Sequence, residues 1–199
     1  MTKFDPQKHH RRSIRLKGYD YSQEGAYYVT IVTWQRECLL GQVVNKEMTL
    51  SPYGEIVQKW WEEIPVHFSN VETGAFVIMP NHVHGIIYIL DERRGTVPVP
   101  KENGGISISQ NNEIFGVIEG GETPPLHAPT LGQIIAYFKY QTTKEMNKVE
   151  NTDTVTKFWQ RNYYEHIIRD EKDLQNKTDY IESNPLLWDE DDENPINVK

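Results

Sequence analysis

Two histidines separated by one residue, His82 and His84, sit inside an apolar run, MPNHVHGIIYIL, at residues 79–90. In a β-strand, side chains alternate between faces, so positions i and i+2 project together and lie close enough to share one ion. Two imidazoles on one face are half of a metal site. Ordinary strand histidines satisfied by a neighbouring hydroxyl or carbonyl would read the same way, so the pair needs a partner elsewhere in the chain. The stretch DYIESNP at residues 179–185 offers one. Tyr180 and Asn184 are four apart, which stacks a phenol and an amide oxygen on one helix face. With that face over the histidines, Asn184 supplies a neutral oxygen as third ligand and Tyr180 stands a few ångströms from the ion. Two imidazoles, one carbonyl oxygen and open positions for phosphate and water suit a hard divalent cation, Mg²⁺ or Mn²⁺. A closed zinc site would want more protein ligands.

Four strands and three helices are expected to position these groups. Residues 25–34 (GAYYVTIVTW) have the β-branched and aromatic composition of a strand in a packed sheet. A short hairpin is expected between residues 37 and 45, with Cys38 to Leu40 as its apolar patch. Ser51 and Pro52 then read as an N-cap and first-turn proline opening a helix to about Ile64, with Tyr53, Val57, Trp60 and Trp61 on its apolar side and Pro65 as its stop. Residues 74–78 and 82–90 read as two strands joined by a tight turn at Pro80 and Asn81. Thr130 and Gln133 form a capping box for a second helix to about Asn147. Residues 158–168 read as the last strand, and Asp170 caps a third helix that Pro185 ends. This order predicts an α+β ferredoxin-like sandwich, an antiparallel sheet with helices on one face plus an extra C-terminal helix carrying Tyr180. The histidine strand is expected in the middle of the sheet.

A length of 199 residues suits one domain. A basic N-terminal arm is expected over residues 1–24, a single domain over 25–188 with a long loop insertion at 91–129, and an acidic tail over 189–199. No apolar run approaches the roughly 20 residues of a membrane span, so a cytoplasmic protein with no membrane partner is expected. The single cysteine, Cys38, can form no internal disulfide, and reads as a small core or strand-end residue. Net charge is −8, which on its face argues against a nucleic-acid partner. The charge is polarised, however: residues 189–193 (DEDDE) are all acidic, whereas Lys3, Lys8, Arg11, Arg12, Arg15 and Lys17 crowd the other end.

The histidine strand and the segment from FWQRNYYEHIIRDEKDL to DYIESNPLLW resemble the single-tyrosine HUH transposases, and within them the REP-associated tyrosine transposases. The family's motif of His, hydrophobic residue, His is matched by His82, Val83 and His84. Its Y-I-x-x-N-P motif is matched by Tyr180, Ile181, Asn184 and Pro185. The similarity covers most of the chain, and departs from the family in residues 91–129 and in the net acidity. The resemblance implies metal-dependent transesterification on single-stranded, hairpin or palindromic-repeat DNA, with Tyr180 as nucleophile, a 5′-phosphotyrosine intermediate, and a monomer or homodimer as the working unit. It also makes Glu165 and His166 candidates for groups behind the ligands. A local basic surface for DNA is expected from Arg11, Arg12, Arg15, Lys17, Lys139, Lys144, Arg161 and Arg169, in spite of the overall charge.

Two other readings fit the same residues. One is a non-catalytic module that holds a nucleic-acid hairpin on its sheet. The other is a metal-dependent hydrolase in which the histidines activate water and Tyr180 is dispensable. Tyr137, with Gln141 four residues later, is the competitor for the role of nucleophile.

Overall fold

A computed structural model of the chain describes residue 16 and residues 18–91, 98–100, 106–108, 128–150, 156–191 and 193–197. Four strands form the main sheet: β1 (Gly25–Val32), β4 (Val71–Met79), β5 (His82–Ile89) and β8 (Tyr164–Ile168), in the order β4-β5-β1-β8. All neighbours are antiparallel. This is the expected α+β sheet of a ferredoxin-like sandwich, with the histidine strand inside it. A hairpin of β2 (Gly41–Val44) and β3 (Glu47–Leu50) follows β1, and the short pair β6 (Pro98–Pro100) and β7 (Ile106–Ile108) lies between β5 and the next helix. Among the described residues, no helix is long and apolar enough to cross a membrane.

The two faces of the sheet are covered differently. Tyr27, Val29 and Ile31 of β1, with Val83 and Ile87 of β5, point into the larger core, beneath α1 (Pro52–Glu62) and α3 (Leu131–Glu150). Ser51 Oγ accepts from Gly54 N at the start of α1, and Thr130 and Gln133 form the expected box at the start of α3. Trp61 of α1 stacks on Phe76 of β4, with ring centroids 4.3 Å apart. The alternate residues Ala26, Tyr28, Ile86 and Ile168 meet Ile181 of α4 (Glu171–Ser183) on the opposite face. The extra C-terminal helix is thus the only α-helix seen packed on that face among the described residues. Asp170 caps it, its Oδ1 accepting from Asp173 N at 2.8 Å.

Several boundaries differ from expectation. The first helix ends at Glu62, and Pro65 lies in the first turn of a separate short helix, α2 (Ile64–His67), because proline fits a first turn as well as it ends a helix. Of the last predicted strand only Tyr164–Ile168 pairs continuously; Trp159 makes an isolated bridge to Thr33. Cys38 is exposed, not core. The predicted insertion falls mostly outside the described residues.

Candidate active site

The strand period delivers both histidines to the face shared with α4. His82 lies between Met79 of β4 and Val32 of β1, and His84 between Val77 and Thr30. Their ring centroids are 4.5 Å apart, and both side chains are buried. The Asn81 amide fixes the first of them. Its Nδ2 donates to the carbonyls of Arg36 (3.1 Å) and Glu193 (2.7 Å), which turns Oδ1 toward His82 Nδ1 at 2.9 Å. A carbonyl oxygen only accepts, so His82 carries its proton on Nδ1 and presents a bare Nε2. His84 Nδ1 meets Tyr28 Oη at 2.7 Å and Thr30 Oγ1 at 2.9 Å.

Both outward ring nitrogens, and one side-chain oxygen on the segment that follows α4, lack hydrogen bonds. His82 Nε2, His84 Nε2 and Asn184 Oδ1 are buried polar atoms without a hydrogen bond, an arrangement costly enough to call for a ligand. Burial pushes the His82 imidazole down to about 3, and burial, then the His82 and Lys177 charges, hold His84 well below its ordinary value. Both rings are therefore neutral at pH 7, the form that binds a metal. A carboxylate joins them: ligand atoms of His82, His84 and Asp191 all lie within 4.8 Å of one another, with His82 Nε2 3.7 Å from Asp191 Oδ2. Two imidazoles and a carboxylate so close together are a donor set that could hold a metal ion.

The helix α4 brings the phenol to this cluster. The Tyr180 ring is 5.2 Å from that of His84 and 6.2 Å from that of Tyr28, and Tyr180 is 42 % exposed, so a substrate can reach it. Tyr28 lies nearly parallel to His84, at 5.5 Å, and Lys177, one turn before Tyr180, sets its ammonium 4.8 Å from the Tyr28 ring. Asn184 opens the 3₁₀ helix Asn184–Glu190, whose Trp188 ring is 6.1 Å from His82.

Known proteins resemble this chain in sequence and in fold. The chain is 40% identical over 190 residues to an uncharacterized protein of Haemophilus influenzae, covering 96% of both chains. It is 25% identical over 174 residues to a second Haemophilus influenzae protein, named "Putative REP-associated tyrosine transposase", covering 84% of this chain and 73% of that one. A solved structure of a REP-associated tyrosine transposase bound to a REP hairpin superposes with a TM-score of 0.51 at 18% identity, over 88% of this chain and 73% of that chain. No family model matches. In sequence and in fold, then, this chain is similar to REP-associated tyrosine transposases.

Other predicted residues fall differently around this centre. Glu165 pairs with Val29 and so faces the α1 and α3 side of the sheet, away from the histidines; the parity of β8 puts it there. His166 pairs with Tyr28 on the site's face, but its Nε2 contacts Asp173 Oδ2 at 2.7 Å, tying α4 to the sheet. Lys139 is not an outward cation: Nζ donates to the carbonyls of Gln160 and Asn162, both at 2.9 Å, and burial lowers its pKa to about 8. Lys144, Arg161 and Arg169 are exposed. Arg11, Arg12, Arg15 and Lys17 lie outside the described residues. Tyr137 stacks on His67 at 3.9 Å, in an aromatic group with Trp60 and Phe68 on the helical layer, remote from the histidine face.

Sequence reasoning missed Asn81, Tyr28 and Asp191. Asn81 directly precedes the histidine pair, and that adjacency was the available signal. Asp191 was hidden in the acidic run, which read as solvated surplus charge. Instead Glu193 pairs with Arg36 at 2.6 Å, Asn194 is buried, and the segment carries Asp191 back against His82.

Proposed function

We propose that this protein is a single-tyrosine HUH transposase that cleaves and rejoins single-stranded or hairpin DNA through a 5′-phosphotyrosine. The observation that carries the reading is Tyr180, substrate-accessible and 5.2 Å from a buried histidine whose Nε2 has no partner. The Tyr180 oxygen attacks the scissile phosphorus, the new O–P bond replaces the bond to the 3′ oxygen, and the phenolic proton ends on the 3′ hydroxyl that leaves. Phosphotyrosine keeps the energy of the broken ester, so the hydroxyl of another strand reverses the step without ATP. His82, His84 and Asp191, with Asn184 as a neutral oxygen ligand, would hold Mg²⁺ or Mn²⁺. Such an ion supplies Lewis-acid polarisation of the phosphate and offsets charge in the transition state. Neutral imidazoles, the Asn81-fixed tautomer and the edge-on Tyr28 ring keep the ligands and phenol in place.

DNA is the proposed partner, held by exposed Arg161, Arg169 and Lys144 together with the basic residues Arg11, Arg12, Arg15 and Lys17. The hydrolase and binding-module readings lack this reason to keep a tyrosine beside the histidines. The test is incubation of the protein with labelled hairpin oligonucleotides and Mg²⁺ or Mn²⁺, followed by denaturing electrophoresis. A covalent protein–DNA adduct is expected from the parent and from Tyr137→Phe, and none from Tyr180→Phe. Cleavage that persists in Tyr180→Phe would establish the hydrolase instead.

A further inference from the structure

The face of the sheet that carries the histidines also carries an ammonium. Lys177 stands three residues before Tyr180 on α4, so the two side chains share a helix face. Successive neighbours run from His82 to His84, with ring centroids 4.5 Å apart, on to Tyr28 at 5.5 Å, and from the Tyr28 ring to the Lys177 ammonium at 4.8 Å. Tyr180 is set edge-on against the two middle members, 5.2 Å from His84 at 66° and 6.2 Å from Tyr28 at 75°. The phenol therefore has an imidazole as its near neighbour and an ammonium just beyond the next ring.

The fold does not use this charge for itself. Lys177 makes no hydrogen bond or ion pair with the described residues, and carboxylates near it on α4 are engaged elsewhere: Asp173 with His166 at 2.7 Å, and Asp179 with Gln175 Nε2 at 2.7 Å. Its one contact is the Tyr28 face, which is weak and easily exchanged beside a charge-assisted bond to phosphate. The side chain is half-buried. Burial, then the His82 and Lys177 charges, disfavour the His84 imidazolium, so the ammonium is felt at the centre.

Charge balance gives the ammonium a task. With one carboxylate, Asp191, among the donors, a bound divalent ion would retain one positive charge, enough to match a resting phosphodiester. As the Tyr180 oxygen closes on phosphorus, further negative charge gathers on the non-bridging oxygens, and a cation already in place counts most at that stage. We propose that Lys177 is a catalytic residue of the cleavage step, its ammonium leaving the Tyr28 ring to bind a non-bridging oxygen of the scissile phosphate. The proposal rests on Tyr180 being the nucleophile. A lysine suits the task because its flexible stem and rotating donors follow the oxygen as the phosphorus changes geometry.

The test uses the full chain in two assays. In the first, inorganic phosphate is titrated into the protein with Mg²⁺ present and followed by ³¹P NMR. In the second, the rate of covalent adduct formation on labelled hairpin oligonucleotides with Mn²⁺ is measured against DNA concentration. Lys177→Met removes the charge and keeps a side chain of similar length. It should bind phosphate roughly tenfold to a hundredfold more weakly and form adduct more slowly by the same order, with the half-saturating DNA concentration and the urea midpoint unchanged. Lys177→Arg keeps the charge and should recover most of both. Phosphate binding equal in the parent and Lys177→Met, or a loss seen only in the half-saturating DNA concentration, overturns the assignment. A parent that binds phosphate through Lys177 but forms no adduct refutes the Tyr180 chemistry and supports the phosphate site, whereas adduct formed at the parental rate by Lys177→Met refutes the phosphate site alone.

Discussion

Asn81→Ala should separate metal binding from folding. Asn81 is fully buried and makes three hydrogen bonds, at 2.7, 2.9 and 3.1 Å, so its truncation removes three contacts worth about 1 kcal/mol each, for a stability loss of about 3 kcal/mol. It also removes the oxygen that keeps the His82 proton on Nδ1. Partners behind metal-ligating histidines are worth about tenfold to a hundredfold in affinity, or roughly 1.4 to 2.8 kcal/mol. Thr142→Val is the matched control. Thr142 is buried on α3, across the sheet, where Oγ1 donates to Phe138 O at 2.8 Å and accepts from Trp159 Nε1 at 2.9 Å. Both variants should lower the urea midpoint. Isothermal titration with Mn²⁺ should show weakened binding for Asn81→Ala alone. If Asn81→Ala binds within twofold of the parent, or Thr142→Val loses as much, the tautomer argument is wrong.

Further outcomes follow from other parts of the structure. Asp191→Ala and Asn184→Ala should both weaken Mn²⁺ binding, the first more strongly because it removes a charged donor, and titration of the two variants ranks them. Acid should destabilise the apoprotein: above pH 6.5 the native and unfolded chains both hold neutral imidazoles, and below it the unfolded chain binds protons that native His82, with its pKa at about 3, does not. Between pH 6.5 and 5 that difference is on the order of 2 kcal/mol per histidine, so urea unfolding of His82→Gln should show a shallower loss over this range. Gly85→Ala should cost about 1 to 3 kcal/mol in stability, since an added Cβ would overlap the Trp61 indole stacked beneath the histidine strand; an unchanged melting temperature would contradict that packing.

The features legible in the sequence are those carried by short-range periodicity. His82 and His84 share a face because strands repeat every two residues, and Asp170 starts α4 because a carboxylate there caps orphan backbone donors. What escaped depends on pairing between distant segments. Tyr28 reaches His84 only because β1 pairs with β5 at Thr30 and His84, and Glu165 faces the wrong side because β8 meets β1 at Val29. No local pattern states either register. Lys139 reads as an exposed helix cation until the loop at residues 160–162 is seen to lay two carbonyls on it. The burial of Asp191 likewise rests on the distant Arg36 and Asn81, which hold Glu193.

The turn of Pro80 and Asn81 closes β4 onto β5 with Met79 opposite His82, leaving two residues between the paired positions. This tight closure makes the centre far more sensitive to chain length than to composition. One residue inserted between Asn81 and His82, with the strand pairing otherwise kept, would exchange the faces of β5 and drive both imidazoles into the Trp61 and Phe138 core while Val83 and Gly85 turned toward Tyr180. Drift by substitution can wear away the ligands one at a time, whereas a single codon gained at this turn would remove both together and leave every residue of the motif in the gene.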